Sequence, residues 1–314
     1  MITHVNVAII GGGVAGLYSA YMCSTVGLAC HIFEALPYIG GQCIAFYPNK
    51  PIYGVPGLHK IPAGEFVKRL SEQCLTDNVD LHTNVSVSIT KSNGSFEIIA
   101  SDNQKFDANY IIIASGIGVM KPSIPVSIKG VTELANNSDF VQCYCLNPEL
   151  YAGQKVVVAG GGNSAIDHAI CISKIAKSVT LLHKRDNFSC DKNKIDELNK
   201  INNGNIDFKM NHQILELQQG VIITDKEVIN TDRIVFCYGL HVNSDNIQNT
   251  ISFTVEMERN LIKVEQSSMK TSENACYAVG DVVSYPGKTR GILSCCYEAQ
   301  TSVNAISKEL SGGI

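Results

Sequence analysis

Short, unbroken runs of apolar residues alternate along the chain with longer stretches in which apolar and polar residues mix. The first run, residues 5–10, leads into three consecutive glycines, and an amphipathic stretch follows from Val14 to about Val26. A second apolar run, residues 29–33, ends on Glu34. Short runs rich in β-branched residues predict buried strands, and the longer mixed stretch predicts a helix. The chain is therefore predicted to begin with a strand–turn–helix–strand unit.

The same order of elements recurs in mid-chain. Residues 155–159 predict a strand, residues 165–176 a helix, and residues 179–182 the next strand. Two other apolar runs, 110–116 and 231–239, end in glycine. Runs of this kind are typical of buried strands in a parallel sheet, which are covered on both faces. The two weakly similar units form an internal repeat.

These elements predict an α/β fold of two Rossmann-like dinucleotide-binding domains with parallel sheets, the second inserted in the first. We expect the outer domain to comprise residues 1–117 and 241–314, and the inserted domain residues 118–240. The length of 314 residues agrees with about two domains. Two β-rich runs, residues 85–89 and 96–100, predict a small antiparallel layer on the outer domain.

The glycines after the first strand have the spacing Gly-x-Gly-x-x-Gly. Gly11 permits a tight turn, Gly13 lets the backbone approach a pyrophosphate, and Gly16 lets helix and strand pack closely. The start of the helix, which includes Ala15, supplies free N–H groups and a favourable dipole for phosphates. Glu34 lies 18 residues after Gly16, where an acidic residue binds ribose hydroxyls. This unit is predicted to bind a dinucleotide.

The second turn has the same form but different chemistry at the end of the following strand. Its predicted nucleotide-binding residues are Gly160, Gly162, Asn163, Ser164 and Ala165, with alanine in place of the third glycine. The next strand ends on His183, Lys184 and Arg185 instead of an acid. Cations at this position favour a ribose 2′-phosphate, so the inserted domain is predicted to bind NADPH rather than NADH. The alternative is a solvated run of surface charge.

A third signal lies near the C-terminus, where residues 276–279 predict a strand that ends in Gly280–Asp281. A carboxylate at this position can reach a ribityl hydroxyl of a flavin. Gly-Asp turns are common, but together with the first glycine turn this one suggests FAD in the outer domain.

Composition narrows the class of protein further. The formal net charge is −4, so no basic excess favours nucleic acid, and no apolar run reaches the roughly 18 residues of a membrane span. The N-terminus has no basic region typical of a signal peptide, and we expect a cytoplasmic protein. None of the 12 cysteines are spaced as Cys-x-x-Cys, so we expect no metal site.

Several segments together resemble one flavoprotein family. They are Gly40–Gln42, residues 46–57 (FYPNKPIYGVPG), residues 281–288 (DVVSYPGK) and Glu298–Ala299 with residues 303–305. The chain resembles the bacterial thioredoxin reductases, and within them most of all the thioredoxin-reductase-like ferredoxin (flavodoxin)–NADP+ reductases. The matches extend from residue 5 to about residue 306.

The resemblance implies roles for several residues. Glu34 would bind the FAD ribose, Gln42 and Asp281 the flavin end, and Tyr47 would stack on the isoalloxazine ring. Val87 and Met120 match positions that line the adenine and flavin regions. The full set implied for FAD is Gly11, Gly13, Ala15, Gly16, Glu34, Gly41, Gln42, Tyr47, Val87, Met120, Gly280 and Asp281.

The resemblance also implies an activity. NADPH would pass a hydride to FAD, and single electrons would then leave for ferredoxin or flavodoxin. Hydride transfer requires no protein acid or base, so no catalytic residue is assigned beyond the flavin-stacking Tyr47. The family implies a homodimer. A disulfide reductase, a non-catalytic flavin-binding redox sensor, and an NADPH oxidase or quinone reductase are the alternatives.

The chain departs from the family pattern in the spacing of its cysteines and in its basic signature. Thioredoxin reductases carry a Cys-x-x-Cys dithiol ahead of the second glycine turn, whereas this chain has Cys143 and Cys145 separated by one residue. Their spacing favours buried thiols over a redox pair. The basic signature of the family usually includes an arginine where Ser189 stands, and Lys184 replaces another arginine. We therefore expect weaker discrimination between NADPH and NADH than is usual.

Overall fold

The computed structural model describes residues 2–45, 51–92, 94–118, 120–143, 148–202, 204–242 and 250–312. By its internal contacts the chain divides into two compact units. We call them the outer unit (residues 1–119 and 242–314) and the inserted unit (residues 120–241). Within the described ranges, no helix is long and apolar enough to cross a bilayer.

The strands are short and the helices range from one turn to 19 residues. In chain order the described strands are β1 Ile2–Ile10, β2 Cys30–Glu34, β3 Pro51–Ile52, β4 Ile61–Pro62, β5 Val79–Thr83, β6 Val87–Ser92, β7 Ser95–Ala100, β8 Lys105–Ile113, β9 Met120–Pro122, β10 Val141–Gln142, β11 Lys155–Ala159, β12 Ser178–His183, β13 Ile206–Met210, β14 Ile214–Gln218, β15 Val221–Thr224, β16 Val228–Asn230, β17 Arg233–Phe236, β18 Leu240–Val242, β19 Met257–Glu258, β20 Leu261–Lys263, β21 Cys276–Ala278 and β22 Val283–Ser284. The described α-helices are α1 Val14–Thr25, α2 Gln42–Ala45, α3 Ala63–Cys74, α4 Val131–Asn137, α5 Asn163–Ser173, α6 Lys192–Ile201 and α7 Ile292–Leu310.

The outer unit is built on a seven-stranded sheet in the order β5-β2-β1-β8-β7-β6, with β21 also paired to β8. Strands β5, β2, β1, β8 and β21 run parallel, whereas β6 and β7 are antiparallel. The first half of β8 pairs with β7, and its last three residues pair with β21. The parallel part thus has its strand ends at one edge, where ligands of α/β sheets bind.

Helix α1 follows β1 after three glycines and is buried on most of its surface. It carries no charged residue, and Leu17, Ala20 and Cys23 are fully buried. The expectation of an amphipathic helix was therefore wrong, because α1 packs against α3 and α7 as well as the sheet. The helix ends before Gly27, whose N–H donates to the carbonyl of Ser24.

The inserted unit contains a five-stranded parallel sheet in the order β10-β17-β11-β12-β13. Side chains of β11 alternate between two cores: Val156 and Val158 face one, and Val157 and Ala159 face the other. Helices α5 and α6 contribute to the first core, and α4 with the antiparallel sheet β14-β15-β16 contributes to the second. An apolar run buried on both faces explains why this strand shows no polar alternation.

The predicted fold class is confirmed. The structure is α/β, with parallel sheets in both units and small antiparallel layers beside them. The second helix begins two residues earlier than predicted, at Asn163, because the second glycine turn leads directly into α5.

Candidate functional site

The first glycine turn joins β1 to α1, and its outer two glycines touch. Gly11 has a φ of +113°, and its N–H donates to the carbonyl of Phe33 at 2.8 Å. A Cβ placed on Gly16 would lie 1.9 Å from the carbonyl oxygen of Gly11. Side chains at these positions would separate helix from strand, so the turn needs glycine at both ends.

Gly13, between them, has a different environment. A Cβ on Gly13 would lie 3.8 Å from the Cα of Gly41, an ordinary van der Waals distance. Gly13 caps α1 without a side-chain hydrogen bond, so backbone N–H groups of the first helical turn remain available to an anion. The packing of the protein does not require glycine at this position. The missing side chain instead leaves space next to the N–H donors.

The carboxylate of Glu34 is bound to the same turn. The Gly12 N–H donates to its Oε2 at 2.7 Å, and the Leu36 N–H donates to its Oε1 at 2.8 Å. Burial raises the pKa of Glu34, and the hydrogen bonds from backbone N–H groups oppose that rise. A carboxylate has about four lone-pair sites, so Glu34 can still accept bonds from ribose hydroxyls.

Asp281 lies against the start of α1 and carries an unsatisfied atom. A Cβ on Gly280 would come within 3.0 Å of the Ala15 Cβ, which brings the Gly280–Asp281 turn to the first glycine turn. The Gln42 Nε2 donates to the Asp281 Oδ2 at 2.9 Å. The Oδ1 atom is buried with no hydrogen-bond partner among the residues described. Buried polar atoms are normally bonded, so this oxygen points to a ligand that donates a hydrogen bond.

The structure shows less about the remaining residues that the resemblance implies for FAD. Val87 begins β6, pairs with Ala100 and packs half-buried against the outer core. Met120 begins β9 in the inserted unit, and its side chain lies outside the described part. Tyr47 also lies outside the described residues.

The second glycine turn joins β11 to α5 and is looser at its third position. The Cβ of Ala165 lies 3.2 Å from the position a Cβ on Gly160 would take, so alanine fits where the first turn needs glycine. A Cβ on Gly162 would meet no atom within 4 Å. As in the first turn, the second glycine borders open space at a helix N-terminus.

His183 closes this turn from the end of β12. Its ring packs on Gly161, where an added Cβ would come within 2.4 Å of the ring, and it stacks on Phe188 with centroids 5.9 Å apart. Burial lowers the pKa of His183, and the cations of Arg185 and Lys184 lower it further. Its Nε2 is buried and has no hydrogen-bond partner in the described part of the chain.

The cations that follow His183 are exposed. Lys184 and Arg185 are solvent-accessible, and neither forms an ion pair with a described residue. Their segment is tied to the turn, because the Ser189 N–H donates to the Gly161 carbonyl at 2.8 Å. Two exposed cations on a segment tied to this turn can receive an anionic group.

The side chain of Asn163 binds within the protein. Its Nδ2 donates to the Asp191 Oδ2 at 3.1 Å, and its Oδ1 accepts from the Asp191 N–H at 3.0 Å. Both polar atoms of the side chain are thus used to clamp the segment after β12. Ser164 follows in the first turn of α5. Sequence reasoning missed this clamp because the two partners lie 28 residues apart.

Burial affects two cysteine thiols of the inserted unit, Cys143 and Cys237. Burial raises the pKa of Cys143 to about 11, and that of Cys237, which is also buried, is raised further above its ordinary value. Cys145 lies outside the described residues. Among described residues, no cluster of three or more His, Cys, Asp or Glu side chains could hold a metal ion.

Two residues near Asp281 had no role in the sequence prediction. The buried carboxylate of Glu298 accepts a hydrogen bond from the Gly280 N–H at 2.7 Å and forms an ion pair with Lys288. The signal was present, since both residues belong to the segments that carry the family resemblance.

Comparisons with known proteins agree with this geometry. A family model described as pyridine nucleotide-disulphide oxidoreductase matches residues 5–302. The ferredoxin–NADP reductase of Rickettsia bellii is 32% identical over 313 residues, covering 96% of this chain and 92% of that relative. The ferredoxin–NADP reductase of Rickettsia felis is 33% identical over 328 residues, covering 99% and 95%.

Solved structures show the same fold. The thioredoxin reductase of T. acidophilum is 24% identical with a TM-score of 0.73, covering 98% of this chain and 99% of that one. The thioredoxin reductase of Lactococcus lactis in its FR conformation is 22% identical with a TM-score of 0.71, covering 98% and 99%.

Proposed function

The chain belongs to the pyridine nucleotide-disulphide oxidoreductase family, and from this we propose that it is a ferredoxin (flavodoxin)–NADP+ reductase. In this proposal the outer unit binds FAD and the inserted unit binds NADPH. The observation that carries it is the pairing of two similar glycine turns with opposite chemistry at the following strand end. Glu34 accepts hydrogen bonds at the first, and the second has exposed Lys184 and Arg185.

The residues of the outer unit fit FAD. Gly13 leaves space at the N-terminus of α1, where phosphate oxygens can accept backbone N–H bonds. Glu34 is fixed where it can accept ribose hydroxyls. The unpartnered Oδ1 of Asp281 suits a ribityl hydroxyl, with Gln42 bound to the other oxygen. FAD supplies the exchange between two-electron transfer with NADPH and one-electron transfer with ferredoxin or flavodoxin.

The residues of the inserted unit fit NADPH. Gly162 borders open space at the start of α5, which suits the pyrophosphate. Lys184 and Arg185 supply charge for a 2′-phosphate, and the unpartnered Nε2 of His183 can bond to the same nucleotide. The Asn163–Asp191 clamp holds the segment that carries these side chains. Ser189, at the family's usual arginine position, leaves this site with less charge.

The spacing of Cys143 and Cys145 and the burial of Cys143 favour ferredoxin–NADP reductase over disulfide reduction. A disulfide reductase needs a thiolate, and burial raises the pKa of Cys143 to about 11. The Rickettsia relatives are ferredoxin–NADP reductases, which supports a ferredoxin as electron acceptor. We further propose a cytoplasmic homodimer.

Anaerobic mixing of the purified, flavin-loaded chain with NADPH or NADH tests the proposal. We expect NADPH to bleach the flavin absorbance faster than NADH, and ferredoxin or flavodoxin to restore it. Replacing Cys143 and Cys145 by serine should leave this cycle within about twofold of wild type. Consumption of a Cys143–Cys145 disulfide on reduction, found by thiol titration, would instead favour a disulfide reductase. A flavin that NADPH does not bleach would favour a redox sensor.

A further inference from the structure

Glu298 is a fully buried carboxylate on α7 that accepts hydrogen bonds from three donors. Its Oε2 accepts the Gly280 N–H at 2.7 Å. Its Oε1 accepts the Tyr285 hydroxyl at 2.7 Å and the ammonium of Lys288. The two oxygens are thus divided: one holds the turn before Asp281, and the other holds the segment that leads into α7.

This ion pair is costly to bury. The side chain of Glu298 is 0% exposed and that of Lys288 is 10% exposed. The free energy needed to remove two charges from water offsets much of their mutual attraction. Apolar residues of similar volume often stabilise a fold equally well. Stability alone therefore does not account for the pair, and its contact with Gly280 offers another role.

Gly280 sets the position of Asp281. It has a φ of +85°, a conformation that favours glycine, and its N–H is directed at Glu298. The next residue, Asp281, has one oxygen bonded to Gln42 and the other buried without a described partner. Fixing the Gly280 peptide fixes the direction in which this oxygen points.

A second group of the same composition lies at the other end of α7. Glu309 accepts the Tyr277 hydroxyl at 2.9 Å and the Lys270 ammonium at 2.8 Å, both on Oε1. Its side chain is 36% exposed, and its bonds are to these two side chains. Tyrosine, lysine and glutamate therefore recur on one helix, but only Glu298 holds the Gly280 backbone among the residues described.

We propose that Glu298, with Lys288 as its buried counterion, is a positioning residue that orients Gly280 and Asp281 for the ribityl chain of FAD. The inference rests on the proposed function, because FAD is the ligand it concerns. Glu298 does not touch the ligand itself; it acts through the Gly280 N–H. Its effect is expected on the retention and electronic environment of the flavin rather than on NADPH binding.

The first experiment measures FAD release from the flavin-loaded chain. Glutamine at position 298 offers one acceptor oxygen to three donors and leaves Lys288 without a counterion, so Glu298→Gln should release FAD at least about tenfold faster. Release is followed by the rise of flavin fluorescence on dilution. The visible absorption bands of the bound flavin should also shift, whereas the NADPH Michaelis constant should stay within about twofold.

Glu309→Gln is the matched control, since it removes the same charge from the same helix. We expect wild-type FAD release and an unchanged flavin spectrum. Equal acceleration by Glu298→Gln and Glu309→Gln would overturn the inference. So would wild-type release by Glu298→Gln.

A double variant separates positioning from folding stability. Lys288→Met with Glu298→Leu replaces the pair by apolar side chains and leaves no unpaired charge. We expect a thermal midpoint by circular dichroism, at saturating FAD, close to that of wild type, while FAD release remains at least about tenfold faster. Wild-type release by this variant would overturn the positioning role. A wild-type chain that binds no FAD would refute the proposed function, whatever Glu298 does.

Discussion

The two glycine-rich turns have the same connectivity but differ in how closely helix and strand approach. In the first, a Cβ on Gly16 would lie 1.9 Å from the Gly11 carbonyl oxygen. In the second, Ala165 occupies the corresponding position, and its Cβ fits beside Gly160. The third position of the pattern is therefore a packing position, and its residue reports the distance between helix and strand.

The second glycine behaves alike in both turns. A Cβ on Gly13 would make one ordinary contact, and a Cβ on Gly162 would make none within 4 Å. Neither glycine is required by protein packing. Space is thus kept at both helix N-termini, which fits a ligand rather than the fold as the reason for glycine.

The middle glycines, which the spacing pattern leaves variable, differ by the residue they meet. The Gly12 N–H binds the Glu34 carboxylate, whereas Gly161 lies under the His183 ring. One strand end thus presents an acceptor and the other an imidazole followed by two cations. The same backbone geometry can therefore serve two nucleotides.

The largest effect on stability is expected from exchanging the residues at the third position of the two turns. Gly16→Ala puts a methyl group on the Gly11 carbonyl and should lower the free energy of unfolding by about 4 kcal/mol or more. Ala165→Gly, the reverse change in the other turn, should cost at most about 1 kcal/mol. Urea unfolding followed by circular dichroism measures both. Equal losses would mean that the two turns are packed alike.

A second contrast concerns a buried polar residue on each helix. His168 in α5 lies six residues after Gly162, and Ser19 in α1 lies six residues after Gly13. The Ser19 hydroxyl donates to the Ala15 carbonyl within its own helix at 2.8 Å. Burial lowers the pKa of His168 to about 4. Only the inserted unit therefore has a proton-sensitive group at this position.

This contrast predicts a pH dependence. The folded chain resists protonation of His168, so its stabilising effect is complete above the unfolded pKa near 6.5 and is lost as pH falls towards 4. Between pH 7.5 and 4, wild type should lose about 3 kcal/mol more unfolding free energy than His168→Gln does. Ser19→Ala should differ from wild type by an amount that does not vary with pH. Parallel pH profiles for wild type and His168→Gln would contradict the burial effect.

The next prediction uses the second glycines, which should affect binding without affecting the fold. Gly13→Ala should keep the unfolding free energy within about 1 kcal/mol and weaken FAD binding roughly 10- to 100-fold, because the methyl group occupies the phosphate space. Gly162→Ala should do the same to NADPH binding and leave the flavin in place. Fluorescence titration measures each nucleotide. Cross-effects, with Gly162→Ala releasing FAD, would reject the assignment of one nucleotide to each unit.

The sequence predicts those features of the fold and the site that are determined by residues close together in the chain. The strand–turn–helix–strand units follow from β-branched runs and glycine spacing, which act over a few residues. The spacing of the second turn predicts that Asn163 contacts the nucleotide, whereas its bonds to Asp191 depend on the path of the chain between the two residues and have no local signal. Likewise, the effect of Glu298 on Gly280 arises only when α7 packs beside the turn. Glu298 belongs to a segment that carries the family resemblance, but that segment does not indicate which backbone group it binds.

The smallest effect is expected at the strand ends. Lys184→Ala with Arg185→Ala removes two exposed cations, which water and salt already screen, so folding stability should change little. The Michaelis constant for NADPH should rise roughly tenfold, and that for NADH should change by less than about twofold, because only NADPH carries the 2′-phosphate. Ser189→Arg, which restores the charge usual in the family, should shift preference towards NADPH. Steady-state kinetics with both nucleotides decide the matter: equal effects on NADPH and NADH would refute the 2′-phosphate assignment and leave these side chains as part of a solvated surface.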